Sequence, residues 1–155
     1  YLLFEKARFG EDRILEHVEI EPEAQSVLVP AFIIQPLVEN AVRHGMRDEG
    51  PLNITVRAAA PEDDIVDIEV IDDGVGMDDA AKARLLDTHG SSSVTERSAP
   101  QGGGTGVAMH NILKRIERFY GPRSVASVES QQGSGTTVSL KLDLRDSNLA
   151  PGEVK

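Results

Sequence analysis

The strongest constraint on the fold is a period-two pattern of apolar residues that recurs in three segments. These are Leu52-Ile54-Val56, Val66-Ile68-Val70 and Val138-Leu140-Leu142. Alternation of this kind predicts β-strands with one buried face. The parity continues forward to Asp72 and backward to Thr136, which places a carboxylate and a hydroxyl on the buried side at strand ends. Because a buried carboxylate is costly without a donor, we expect a ligand amine to bind Asp72 where the protein offers no partner.

One long helix is predicted at residues 31–46. Its apolar face carries Ile34, Leu37, Val38 and Ala41, and its polar face carries Pro36, Asn40, Arg43 and Arg47. Pro36 lacks a backbone donor, so it should kink this helix or lie in its first turns. Further helices are expected at 1–9, 79–87 and 107–119, an edge strand at 13–20 and another strand at 123–130.

The composition bounds the class of protein. At 155 residues the chain suits one domain, and no apolar run approaches the ~18 residues of a membrane span. The absence of cysteine from the sequence excludes disulfides and thiolate metal sites. A net charge of −10 argues against binding to nucleic acid or to an anionic membrane. A polyphosphate ligand would therefore need a divalent cation, helix N-termini and local cations.

Two segments have the composition of irregular structure. Residues 88–104 are small, polar and glycine-rich, which predicts a mobile loop. A loop of this length inside a compact domain is unusual unless it is functional. Residues 145–155 predict a frayed tail or a linker.

The run Asp72-Asp73-Gly74-Val75-Gly76 lies where a predicted strand ends. A simple turn would account for it, since aspartate and glycine are favoured in turns. Alternatively, Asp72 accepts a hydrogen bond from the amino group of adenine, while Gly74 and Gly76 let the backbone approach the ring. A buried carboxylate discriminates well in that role, because a ligand without the donor leaves it unpaired.

The run from Gly102 to Gly106 precedes a predicted helix. It is either a flexible linker or an anion site, where unpaired amides at the helix N-terminus point at phosphate. It is not a Walker A loop, because no Gly-Lys-Ser/Thr occurs in the chain, and it lacks the spacing of a Rossmann fingerprint.

The polar face of the 31–46 helix has two interpretations as well. A solvated helix face is the simpler one for Glu39, Asn40, Arg43 and His44. Yet asparagine is a poor helix former, and its amide oxygen is a suitable hard ligand for Mg²⁺. In that case Arg43 and His44 would offset the charge of phosphates.

Four segments carry a family resemblance when they are taken in chain order: the helix with Asn40, the run Asp72–Gly76, the run Gly104–Gly106 and the pair Gly135-Thr136. Together they resemble the ATP-binding domain of the GHKL superfamily, which includes histidine kinases, gyrase-type ATPases, Hsp90 and MutL. The resemblance covers about residues 10–143. It implies a magnesium ligand at Asn40, an adenine contact at Asp72 and a contribution from Thr136 near the adenine. It also implies ATP contacts from Arg43, His44, Gly74, Gly76, Met77, Gly104, Thr105, Gly106, Val107, Ala108 and Met109.

The segment Gln35-Pro36-Leu37-Val38-Glu39-Asn40-Ala41 is similar to that of LytS/AlgZ-type sensor histidine kinases. Two positions depart from the superfamily pattern. Ala108 replaces a common third glycine, and Pro36 stands where hydrolysing members carry a glutamate general base. Pro36 can transfer no proton, which favours a kinase over a self-sufficient ATPase. Glu39 is the one acid near the site on this helix, with either a structural or a catalytic role.

The resemblance implies an α+β, two-layer Bergerat-type sandwich, in which about three helices cover one face of a mixed sheet beside a mobile ATP lid. Residues 1–9 would end an upstream helical segment for dimerisation and phosphoacceptance, 10–144 would form the ATP-binding domain and 145–155 a flexible tail. The acceptor histidine would lie upstream of Tyr1, outside this fragment.

The implied function is phosphoryl transfer from Mg-ATP to that histidine in a two-component signal-transduction system. The implied partners are the histidine-bearing segment, a response regulator and a second subunit of a homodimer, with no nucleic acid and no direct membrane contact. The domain would be cytoplasmic, in a membrane-anchored protein. Two alternatives stay open: a serine kinase of the anti-sigma-factor type, and a degenerate nucleotide-binding or regulatory module.

Overall fold

The computed structural model describes residues 2–30, 33–86 and 104–147, with the backbone alone described at residues 3, 11, 83–86, 104–110 and 146. The predicted loop at 88–104 lies outside these residues except for Gly104, and so does the tail from residue 148 onward. No helix among the described residues is long and apolar enough to cross a membrane.

The described part of the chain contains one mixed sheet of five strands in the order β1-β2-β3-β5-β4. The strands are β1 (Ile14–Ile20), β2 (Leu52–Glu62), β3 (Ile65–Asp72), β4 (Val125–Gln131) and β5 (Gly135–Asp143). β1 pairs in parallel with β2, and the other neighbours are antiparallel. The edge position predicted for the first strand is confirmed.

β2 extends well beyond the predicted apolar alternation. Its residues after Val56 lack that pattern, but Ala58 pairs with Ile20 of β1 and with Ile68 of β3. The pairing on both sides therefore continues the strand. Pro61 lies within the register shift between Ala59 and Glu62, where a missing backbone donor is tolerated.

Four helices are described: α1 (Leu2–Phe9), α2 (Ile34–Gly45), α3 (Asp79–Leu86) and α4 (Gly104–Tyr120). Pro36 lies in the first turn of α2, where its missing N–H has no partner to lose, so the helix continues past it. α4 begins at Gly104, earlier than the predicted residue 107. Short 3₁₀ turns occupy Glu11–Arg13, Pro22–Ala24 and Leu144–Asp146.

The core lies between one face of the sheet and the helices. Burial along β3 alternates, and Val66, Ile68 and Val70 are each about 2% exposed. They pack in one cluster with Leu37 and Val42 of α2, and with Ile112 and Ile116 of α4. The opposite face of the sheet carries polar contacts, such as the ion pair of Arg57 with Glu19. The predicted two-layer α+β architecture is confirmed, with helices on one face of the sheet.

The end of β5 shows order where a frayed tail was predicted. Leu144–Asp146 forms a 3₁₀ turn, and the Ser147 N–H donates to the Leu144 carbonyl over 3.1 Å. The structured part of the chain therefore continues at least through Ser147.

Candidate functional site

A pocket opens between α2 and the ends of β3 and β5. Its lining comprises Leu37, Asn40, Ala41, His44, Val70, Asp72, Gly76, Met77, Thr136 and Val138. The structure thus brings together six residues that the sequence proposed as functional: Asn40, His44, Asp72, Gly76, Met77 and Thr136. The other four residues are apolar side chains of the core face, and they form walls that suit a flat, weakly polar ring.

Asp72 is the buried acid of this pocket, at 7% exposure. It is the last residue of β3 and pairs with Thr136 of β5. Its Oδ1 accepts the Gly74 N–H over 2.9 Å, and the Thr136 N–H also donates to the carboxylate. Burial nevertheless raises the pKa of Asp72 to about 6, with a small contribution from Asp73, against the two N–H donors and the Arg47 charge.

A second buried carboxylate, Asp143, shows how this fold compensates a structural acid. Asp143 is 2% exposed at the other end of β5. The Arg145 side chain donates to both of its oxygens, and Arg123 Nε donates to Oδ2 over 2.9 Å. These bonds, chiefly those from Arg145, hold the pKa of Asp143 below its usual range. Among the described residues, Asp72 has two backbone N–H donors and a more distant arginine, so they compensate its charge poorly.

Close backbone packing explains why glycine occupies two positions after Asp72. A Cβ added at Gly74 would lie 2.3 Å from the Cα of Gly45 in α2. One added at Gly76, where φ is +64°, would lie 2.0 Å from the Gln131 carbonyl oxygen. The sequence suggested that these glycines let the backbone approach a ligand ring. The structure shows that they let the loop approach α2 on one side and the β4–β5 hairpin on the other.

Asp73 anchors the start of the same loop to β2. Its Oδ1 accepts the Asn53 N–H over 2.9 Å, and its Oδ2 accepts the Asn53 Nδ2–H over 2.7 Å. Sequence reasoning gave Asp73 no role of its own. The pair is recognisable only once the register of β2 against β3 is known.

Ser130 of β4 connects three parts of the site and was also missed. Its Oγ accepts the Met77 N–H over 2.8 Å and lies 2.9 Å from both the Gly135 carbonyl oxygen and Thr136 Oγ1. The pairing of Ser130 with Thr136 across the hairpin produces this cluster. A single serine in a strand carries no sequence signal for such a role.

Two arginines outside the pocket tie the loop to the N-terminal part of the domain. Arg47 Nη2 donates to the Gly74 carbonyl over 3.4 Å. Arg13 Nη2 donates in turn to the Arg47 carbonyl over 2.6 Å. The loop after β3 is therefore held by backbone or side-chain contacts on several sides, and this keeps Asp72 in place.

The polar residues of α2 divide into two groups. Asn40 and His44 line the pocket. Arg43 is exposed and does not line it, while Glu39 accepts from Gln35 Nε2 over 2.7 Å. Partial burial, followed by the Arg43 charge, lowers the pKa of His44. This shift favours the neutral form of His44, which can still exchange a hydrogen bond with a ligand.

Of the glycine-rich run at Gly102–Gly106, which was predicted to precede a helix, Gly104 to Gly106 form the first turn of α4, and the first two glycines lie outside the described residues. The side chains of Thr105, Val107, Ala108 and Met109 lie outside the described part of the structure, so their predicted contacts are not placed. A helix N-terminus supplies unpaired amides whatever these side chains do.

The sequence matches, over residues 29–146, the family described as histidine kinase-, DNA gyrase B- and HSP90-like ATPase. It is 35% identical over 147 residues to the sensor protein LytS of Staphylococcus epidermidis, covering 95% of this chain and 23% of that protein. It is 31% identical over 140 residues to LytS of Bacillus cereus, covering 90% of this chain and 22% of that protein. The chain thus spans about a quarter of the length of these relatives.

Solved structures agree on the fold. A histidine kinase domain from Erythrobacter litoralis EL346 superposes with a TM-score of 0.60 at 15% identity, over 90% of this chain and 55% of that one. The catalytic domain of the histidine kinase ThkA also gives 0.60, at 17% identity, over 92% of this chain and 86% of that one. Likeness at these identities shows the shared architecture.

Proposed function

This chain belongs to the family of histidine kinase-, DNA gyrase B- and HSP90-like ATPases, and from that premise we propose that it is the ATP-binding catalytic domain of a sensor histidine kinase. The observation that carries the proposal is Asp72. It is a buried carboxylate that faces an apolar pocket, and within the described residues no cationic side chain donates a hydrogen bond to it, whereas Asp143 has two arginines. A ligand that brings an amine into this pocket would supply the missing donor.

The pocket suits the adenine of ATP. Leu37, Ala41, Val70 and Val138 provide apolar walls for the ring, and Asp72 and Thr136 provide polar atoms at its edge. In the proposed complex the exocyclic amine of adenine donates to Asp72. This direction of donation selects adenine over a purine with an oxygen at the same position.

Asn40 fits the role of magnesium ligand. It lies on α2, is half-buried and lines the pocket, and its amide oxygen is a hard ligand that Mg²⁺ accepts alongside waters and phosphates. When bound, the ion would neutralise phosphate charge, which matters in a chain whose net charge is −10. Arg43 and the amides at the start of α4 would contact the phosphates.

No general base for water is proposed at this site. Pro36 lies in the first turn of α2, four residues before Asn40, and can accept no proton. Glu39 contacts Gln35, which supports a structural role for it. The nucleophile would be a histidine on another segment, and this domain would contribute by positioning ATP and compensating its charge.

The proposal extends to the arrangement of the whole protein. Residues 1–9 would end the dimerising, histidine-bearing segment, and the catalytic domain would start at residue 10. The predicted end of that domain at 144 moves to 147, because the turn of Leu144–Asp146 belongs to it, and the rest of the predicted tail at 145–155 would follow. The full-length protein would be a homodimer, and its phosphorylated histidine would pass the phosphoryl group to a response regulator. The domain would work on the cytoplasmic side of a membrane-anchored sensor. The similarity to LytS sensor proteins over 95% of this chain supports this arrangement.

A transfer assay tests the proposed activity. The chain is mixed with the separately produced segment that precedes it in the full-length protein, together with Mg²⁺ and γ-labelled ATP. We expect label on that segment that is stable to base and lost in acid, as for phosphohistidine, and absent with a segment whose histidine is replaced by alanine. Acid-stable label on a serine would contradict the proposal in favour of a serine kinase. ATP binding without transfer would contradict it in favour of a regulatory module.

A further inference from the structure

Three polar contacts meet at the hydroxyl of Ser130, on the strand next to the pocket. Met77 N–H lies 2.8 Å from Ser130 Oγ, and the Gly135 carbonyl oxygen and Thr136 Oγ1 each lie 2.9 Å from it. Met77 and Thr136 both line the pocket. Ser130 does not line it, so any effect on a ligand must pass through these neighbours.

The direction of each hydrogen bond follows from what the atoms can do. A backbone N–H only donates and a carbonyl oxygen only accepts, whereas a serine hydroxyl has one proton and two lone pairs. Ser130 therefore accepts from Met77 and gives its proton to Gly135. Its remaining lone pair faces Thr136, so Thr136 is the donor of that pair.

This assignment determines what Thr136 can offer a ligand. Its proton is used on Ser130, so its oxygen has lone pairs alone for the pocket. We propose that Ser130 is a specificity-determining positioning residue: it makes Thr136, the cross-strand partner of Asp72, an acceptor toward the 6-substituent of the ring and thereby adds to the preference for a 6-amino purine over a 6-oxo purine. The inference rests on the proposed nucleotide binding and deepens it. The Asp72 carboxylate, which lies beside Thr136 in the pocket, is also an acceptor when it is ionised.

Loss of the Ser130 hydroxyl would remove this constraint. Thr136 could then turn its proton toward the pocket and donate to the oxygen of a 6-oxo purine. Asp72 would still disfavour that oxygen, so the preference should shrink and not reverse. The expected effect is a change in the ratio of the affinities for the 6-amino and the 6-oxo nucleotide. A general loosening of the β4–β5 hairpin would weaken both affinities alike and leave this ratio unchanged.

The test compares ATP with inosine triphosphate, which carries an oxygen in place of the 6-amino group, by titration calorimetry. For Ser130→Ala we expect the ratio of the two dissociation constants to fall by roughly 5- to 10-fold, the scale of one hydrogen bond. Ser130→Thr retains the hydroxyl and should keep the ratio of the unmodified chain. Ser127→Ala, at an exposed position of the same strand, is the matched control.

A double variant makes the test specific to Thr136. In a Thr136→Val background, Ser130→Ala should leave the ratio unchanged, because no hydroxyl remains to reorient. An unaltered ratio in Ser130→Ala alone would overturn the inference while leaving ATP binding intact. Failure of the unmodified chain to bind ATP would instead overturn the proposed function itself.

Discussion

Replacing Asp72 with asparagine is expected to make the folded domain more stable near neutral pH and to remove most of its affinity for ATP. The stability effect follows from the pKa of Asp72, which burial raises from 3.8 to about 6. The folded domain holds this proton more tightly than the unfolded chain does. Its stability therefore falls as the pH rises from about 4 to about 6, by about 2 to 3 kcal/mol in total. An amide has no such titration, but it bonds the Gly74 and Thr136 N–H groups less well, so the variant should gain about 1 to 2 kcal/mol near pH 7.

The loss of binding follows from the geometry of the same side chain. Asp72 Oδ1 accepts the Gly74 N–H. In the variant the single amide oxygen would keep that bond and would be the one acceptor left for the Thr136 N–H as well. The NH₂ group then lies where the second carboxylate oxygen was. A donor in that place opposes the amine of adenine, so ATP affinity should fall by about 1.5–3 kcal/mol, the scale of a hydrogen bond to a charged group.

Chemical denaturation at several pH values, followed by calorimetry with ATP, measures both effects. Asp143→Asn is the control, since the Arg145 and Arg123 side chains hold the pKa of Asp143 low. That group stabilises the fold when ionised, and its replacement should destabilise the domain near neutral pH. Normal ATP binding by Asp72→Asn would refute the assignment of Asp72 to the ligand. A loss of stability near neutral pH would refute the costly burial of its charge.

Replacing Gly76 with alanine should be among the most damaging single changes to the site. The backbone φ of +64° is unfavourable for alanine, and the new Cβ would lie 2.0 Å from the Gln131 carbonyl oxygen. The neighbour is backbone in a paired hairpin and cannot move aside cheaply. We expect a loss of about 2 to 5 kcal/mol in the free energy of unfolding, from left-handed strain plus overpacking.

Gly133→Ala separates the two causes. Gly133 has a φ of +81° in the same hairpin, but an added Cβ would meet nothing within 4 Å. This control should cost only about 1 to 2 kcal/mol, the strain alone. Urea denaturation of both variants measures the difference. Equal losses would show that Gly76 does not contact the hairpin as described.

Much of the site was predictable because it depends on local patterns. Period-two alternation placed Asp72 and Thr136 on the buried side of their strands, where the structure has them at paired positions. Helical spacing likewise separated Leu37 and Ala41 from Asn40 on α2. The overall α+β architecture followed from the same two periodicities together with the family resemblance.

The supporting contacts were not predictable, because they join residues far apart in the sequence. The bonds of Asp73 to Asn53, and of Arg47 to Gly74, depend on strand register and on loop paths that no local pattern specifies. Ser130 became visible only when β4 was paired with β5. His44 shows a different limit, since its lowered pKa arises from burial and from Arg43, and not from its residue type.

The central claim is that this pocket binds ATP together with magnesium through Asn40. The direct test is titration calorimetry of ATP into the chain, with Mg²⁺ and with a chelator, for the unmodified protein and for Asn40→Ala. The account predicts that Mg²⁺ strengthens ATP binding to the unmodified chain, and that Asn40→Ala loses this gain but keeps the magnesium-independent binding. An equal gain from Mg²⁺ in both proteins, or no ATP binding by the unmodified chain, would contradict it.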